Sequence, residues 1–152
     1  MNCVLFLLSL APGMALGFSL PSGETGDVSQ IGYWAELSAS ERAFSGRLLA
    51  EDFRSRGDGF YHATVLSLAG GLSFSPGRIF SLGFSVGPSL LFRTHSQGSE
   101  RGLGCVAQAD GLLFYPGERA RFGFVGFTRA YPGRRSVLLS FGIGVFAGAN
   151  PK

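Results

Sequence analysis

IFSLGFSVGPSLLF, residues 79–92, alternates with a strict period of two. Phe80, Leu82, Phe84, Val86, Pro88, Leu90 and Phe92 fall on one parity; Ser81, Gly83, Ser85, Gly87 and Ser89 fall on the other. In a β-strand these sets lie on opposite faces. A membrane-crossing strand needs roughly 9–11 residues, and this stretch supplies them. Its less apolar face carries serine and glycine, where a water-facing sheet would carry lysine, glutamate and threonine. Small residues suit the crowded inside of a narrow barrel, and large apolar ones suit lipid outside. The stretch predicts an all-β fold: a small antiparallel up-and-down transmembrane β-barrel.

The rest of the composition agrees. A chain of 152 residues has room for one domain. Charged residues make up 15%, below the roughly 25% of an ordinary soluble protein. The 24 glycines follow no fixed period that would suggest a collagen-like chain. The net charge of +3 rests on arginine, since Lys152 is the only lysine. These arginines sit mostly at turns and beside acids and form no basic face, so no nucleic-acid partner is expected.

The N-terminus, NCVLFLLSLAPGMALG after Met1, is a short apolar run. Small residues at Ala15 and Gly17 fit a signal-peptidase site, although no Lys or Arg follows Met1. The run is too short for a helical anchor and is broken by Pro12-Gly13. Residues 1–17 are therefore expected to be a signal peptide, with the barrel domain occupying 18–152. Cys3 would leave with the signal, and Cys105 alone cannot form an internal disulfide.

From Val28 onward the alternation recurs. Ile31, Tyr33, Ala35 and Leu37 oppose Gly32, Trp34 and Glu36. A weaker strand follows over Ala43–Asp52, with a helix over Ala35–Phe53 as its rival. Phe53 to Gly59 reads as a solvent loop, Phe60 to Ser75 as a strand, and Arg93 to Arg101 as a second polar loop. A strand over Gly102–Tyr115 places Gln108 and Asp110 inward. The next, over Ala120–Tyr131, breaks parity near Gly126, which suggests a bulge. The last, from Ser136 to Ala147, is clean. Pro-Gly turns punctuate the pattern at Ser75–Arg78, Tyr115–Glu118 and Tyr131–Arg134. Tyr115 and Tyr131 have two readings, as members of an interfacial girdle or as ordinary strand-end residues. Seven strands are read and eight expected; either an eighth lies undetected between Phe18 and Asp52, or the chain lacks one.

A signal sequence, alternating strands, short Pro-Gly turns and longer polar loops together resemble the small outer-membrane barrel group of the OmpA-barrel, OmpX and OmpW kind. The resemblance is one of pattern over about Val28 to Phe146. It implies a bacterial outer-membrane location, with membrane lipid and the outer-membrane assembly machinery as partners. Members commonly end on an aromatic residue that helps the machinery recognise them. Ser140 to Phe146 looks like such a strand, but the chain continues to Lys152.

Glu36, Arg47, Glu51, Asp110 and Arg121 fall on the less apolar parity of their strands. On the barrel reading they form a lumen charge cluster that pairs internally and fills the interior. Arg129 joins it only if the bulge near Gly126 is absent, and is left out. His62 and His95 sit in no catalytic spacing, so no enzyme activity and no catalytic residue is expected. No metal site and no cofactor is expected either. The function expected is a structural or surface role for a mostly plugged outer-membrane barrel. One alternative is a small channel or transporter for small or apolar solutes. The other is a secreted soluble β-barrel binding protein with its Phe and Leu face inside. That form would turn an uncharged Ser-Gly face to water and invite edge pairing.

Overall fold

A computed structural model describes residues 11–22, 31–41, 43–55, 61–77, 79–95, 98–117, 120–132 and 137–149. Where large apolar residues alternate with small ones, the backbone is extended. Eight strands result: β1 (Ala11–Ser22), β2 (Ile31–Glu41), β3 (Phe44–Ser55), β4 (Tyr61–Phe74), β5 (Phe80–His95), β6 (Gly98–Pro116), β7 (Ala120–Pro132) and β8 (Val137–Ala149). Each pairs antiparallel with its chain neighbours, and β8 closes on β1. Closure matters in lipid, where an open edge would leave backbone groups unpaired at several kcal/mol each.

The register fixes the tilt. Crossing the ladders at right angles leads from Ala11 through Ser40, Ser45, Gly71, Ser85, Gln108, Arg129 and Ser140 to Pro21. One circuit thus climbs ten residues along β1 (21 − 11). Such a stagger over eight strands corresponds to a tilt of roughly 35–45°. At Gly17 the approach to β8 is so close that a Cβ would lie 2.1 Å from the Ile143 carbonyl oxygen. Only glycine fits there.

The faces are those of a membrane barrel. Leu82, Phe84, Val86 and Leu90 of β5 point outward and are exposed, while Ser81, Ser85 and Ser89 are buried inside. The soluble alternative needs the reverse facing. Inside, one apolar cluster joins Leu49, Phe53, Ala63, Val65, Val106 and Leu138, toward the end where β1 runs into β2. A second joins Ala15, Trp34, Val125 and Phe127, with Leu112 and Phe146 packed against it.

Several expectations need correction. The missing strand is β1, which begins at Ala11 and lies mostly before Phe18. Met14, Leu16, Phe18 and Leu20 face out, but their inward partners Ala15 and Gly17 are small and uncharged, so the segment reads as a plain apolar run. Of the expected signal segment, residues 1–10 lie outside the described residues and Ala11–Gly17 belong to β1. The bulge near Gly126 is absent, for β7 keeps unbroken register with both neighbours. There the chemistry inverts while the backbone does not: Val125 and Phe127 point in, and Gly126 and Thr128 point out.

Strand extends into both expected polar loops: β3 runs to Ser55, and β5 and β6 take in Arg93–His95 and Gly98–Arg101; residues 56–59, 96 and 97 lie outside the described residues. Phe53 is a buried core residue of β3, which excludes the helix as well. Arg93, Thr94 and His95 pair with Glu100, Ser99 and Gly98 across a tight hairpin, where Gly98 adopts a φ of 148° that favours glycine. Tyr115 is 80% exposed on the outer wall, but Tyr131 is 6% exposed and points inward, so it joins no girdle. The third Pro-Gly turn continues past Pro132 outside the described residues.

Candidate functional site: a charged network inside the barrel

Alternation alone decides which side chains meet in the interior. β2 contributes Glu36, β3 Arg47 and Glu51, β6 Gln108 and Asp110, β7 Arg129 and Tyr131, and β8 Ser140. Arg47 grips Asp110 with both terminal nitrogens, Nη1 to Oδ1 at 2.6 Å and Nη2 to Oδ2 at 3.3 Å. Its Nη1 also reaches Glu36 Oε1 at 3.3 Å. Gln108 Nε2 donates to Glu36 Oε2 at 3.4 Å and Asp110 Oδ1 at 3.2 Å.

Arg129 is the hub, with a side chain that is 0% exposed. It donates through Nε to Gln108 Oε1 at 2.6 Å, through Nη1 to Glu51 Oε2 at 3.3 Å and through Nη2 to Glu36 Oε2 at 3.4 Å. Its guanidinium lies 3.7 Å over the Phe127 ring and 4.9 Å over Trp34. Trp34 and Phe127 meet edge to face at 4.9 Å. Aromatic faces attract a cation, so the apolar layer holds the charge as the carboxylates do. Glu51 also accepts bonds from Tyr131 OH and Ser140 Oγ, each at 2.5 Å. A buried carboxylate with this many donors has most of its lone pairs engaged.

Of the five expected cluster residues, Glu36, Arg47, Glu51 and Asp110 converge on this network. Arg121 does not. It points inward at the opposite end of β7, donates to the Ala149 carbonyl at 3.3 Å and lies 5.1 Å over Phe114. The expected bulge leaves Arg129 out of the cluster, and Tyr131 reads as a girdle or strand-end residue, although both share the parity of Arg121. Counting by twos from Arg121 would have found both.

A second polar group lies on the outer wall of β3 and β4. Asp52 accepts bonds from Arg54 Nε and Thr64 Oγ1, each at 2.9 Å, and pairs with His62 Nε2 at 2.5 Å. Thr64 Oγ1 is 3.5 Å from the same nitrogen. The Asp52 carboxylate thus holds Nε2 of the imidazole. Among the described residues, no group of three or more His, Cys, Asp or Glu side chains could hold a metal ion.

No family model matches the sequence, and no curated protein matches it. Solved structures do resemble the fold. Ail, the attachment invasion locus protein of Yersinia pestis, superposes with a TM-score of 0.67 at 12% identity, over 91% of this chain and 97% of that one. Neisserial surface protein A gives 0.67 at 6% identity, over 93% and 96%. The N-terminal β-barrel domain of Pseudomonas aeruginosa OprF gives 0.58 at 15%, over 91% and 97%. At such low identity the likeness is one of fold: this chain has the closed eight-stranded architecture of small outer-membrane barrels, the group its alternation resembles.

Proposed function

We propose that this chain is a bacterial outer-membrane β-barrel with a structural or surface role, and that its charged network plugs the lumen. The observation that carries the reading is the inversion of the wall. Large apolar side chains such as Leu68, Phe84, Phe124 and Ile143 face outward, while Glu51, Arg129 and Gln108 are fully buried inside. In water that arrangement would forgo roughly 1.5–3 kcal/mol for each large apolar side chain left unburied; in lipid it is the stable one.

Bonds from β3 to β6, β7 and β8 cross the interior, which supports a plug over a wide pore. The mature chain is expected in outer-membrane fractions, resistant to salt and carbonate, with heat-modifiable gel migration. Recovery as a soluble monomer without detergent would contradict the location. Planar-bilayer recording separates the roles: silence supports the plugged barrel, and steady conductance supports a channel.

A further inference from the structure

Seven of the eight strand pairings join consecutive strands, and one, β1 with β8, joins the first strand to the last. The strands of a hairpin stay tethered by their turn when they part. β1 and β8 are tethered only through all the barrel between them, so their ladder carries the largest closure cost. On the outer wall this seam presents apolar side chains such as Leu16, Phe18, Ile143 and Val145. Lipid solvates these as well when the strands are apart as when they are together. What holds the seam beyond its backbone ladder must lie inside.

Two side chains reach over β1 to β8. Trp34 on β2 stands beside Gly17 of β1, which in turn pairs with Gly144 of β8. The indole crosses both positions. Its Nε1 donates to the Ile143 carbonyl at 3.3 Å, and a Cβ on Gly144 would lie 2.6 Å from its Cζ2. Glu51 on β3 reaches the same strand, where its Oε1 accepts from Ser140 Oγ at 2.5 Å. Nothing on β1 stands in the way, for its inward places from Ala11 to Ser19 hold alanine, glycine and serine. The small inner face that disguises β1 in the sequence thus leaves room for residues that bridge its neighbours. Arg129 ties the two bridges together, lying 4.9 Å over Trp34 and donating to Glu51.

We propose that Trp34 and Glu51 form an internal clasp that keeps the β1–β8 seam closed, and that the wall opens at this seam when the clasp is released. The clasp holds whether or not the lumen conducts, so bilayer recording does not bear on it.

The test is hydrogen exchange resolved along the chain, on the whole barrel in lipid nanodiscs. Trp34→Phe keeps an aromatic ring and removes the Nε1 donor; Ser140→Ala removes the hydroxyl that Glu51 holds. Each should speed exchange in the β1–β8 ladder roughly tenfold and leave the β4–β5 ladder unchanged. Ser81→Ala, which removes a hydroxyl bonded to the Phe74 carbonyl on the far side of the barrel, should leave the seam alone. Leu16 and Val145 are register partners with outward side chains. A disulfide through Leu16→Cys and Val145→Cys, in a Cys105→Ser background, should cancel the effect of either clasp variant. If Trp34→Phe fails to fold, Ser140→Ala and the disulfide still decide. Faster exchange spread evenly over all ladders, or a seam indifferent to both clasp variants, overturns the proposal. So does an equal response to Ser81→Ala, or an effect that survives the disulfide.

Discussion

Arg129 on β7 and Glu51 on β3 meet across the barrel interior, Nη1 to Oε2 at 3.3 Å, with neither side chain exposed. Removing one partner strands the other charge. Arg129→Met is expected to destabilise the barrel by about 3–5 kcal/mol. Urea unfolding followed through Trp34, the only tryptophan, reads this from beside the site. The double variant with Glu51→Gln should cost less than the sum of the two single changes. A loss under about 1 kcal/mol would place the pair with solvated ones.

Tyr131 gives a finer reading of the same carboxylate. Its hydroxyl donates to Glu51 Oε2 at 2.5 Å. Tyr131→Phe keeps the ring and should cost about 1.5–3 kcal/mol in the same unfolding assay, the usual range for a hydrogen bond to a charged group. No change would mean that Arg129 and Ser140 satisfy Glu51 unaided.

Arg121 shares the parity of Arg129 but none of its partners. It meets a backbone carbonyl and one ring near the strand's other end. Arg121→Met should therefore cost roughly 1 kcal/mol or less. A loss as large as that of Arg129→Met would show a role in the charged network that its position does not support.

How much of this was legible in the sequence depends on the inner face. β5 and β8 could be read because most of their inward residues, Ser81, Gly83, Ser85 and Ser89 in one and Ser140, Gly142 and Gly144 in the other, are serine and glycine while their outward ones are large. In β1 both faces are apolar or small, so the period vanished into what reads as a leader. In β7, Val125 and Phe127 take inward places, and the inversion passed for a bulge that hid Arg129. Arg93 to Arg101 reads as loop because its residues are polar or glycine on both parities, so no apolar period marks the strand. Parity placed Glu36, Arg47, Glu51 and Asp110 inside. It could not place them along the axis, since register between strands is written in no single strand. That is why Arg121 was grouped with residues it does not meet.

β1 carries a prediction about maturation. A chain beginning at Phe18 lacks the part of β1 that pairs with Trp34–Ser40 and with Gly144–Gly148. Refolding into detergent should give a heat-modifiable barrel for a chain starting at Ala11 and none for one starting at Phe18. Intact mass of the protein recovered from membranes should place its first residue at or before Ala11. A first residue at Phe18 in folded protein would contradict the strand.

Facing can be probed by charge. Phe84 is 56% exposed on the outer wall, and Phe84→Arg should cost roughly 2–4 kcal/mol near mid-membrane and depress assembly. Ser85, next in the chain, is 0% exposed and pairs with Gln108. Ser85→Arg should instead fail by crowding the interior, so Ser85→Ala should be mild while Phe84→Ala leaves insertion intact. Equal tolerance of arginine at both positions would argue against a wall with two different faces.

Single cysteines from Ser81 to Leu90, in a Cys105→Ser background, test the membrane strand itself. With the protein in native membranes, a lipid-soluble thiol reagent should mark cysteines at positions 82, 84 and 86 and leave those at 81, 85 and 89 unmarked. Labelling without alternation, or reaction of both parities with a water-soluble reagent, would mean that β5 does not cross a membrane.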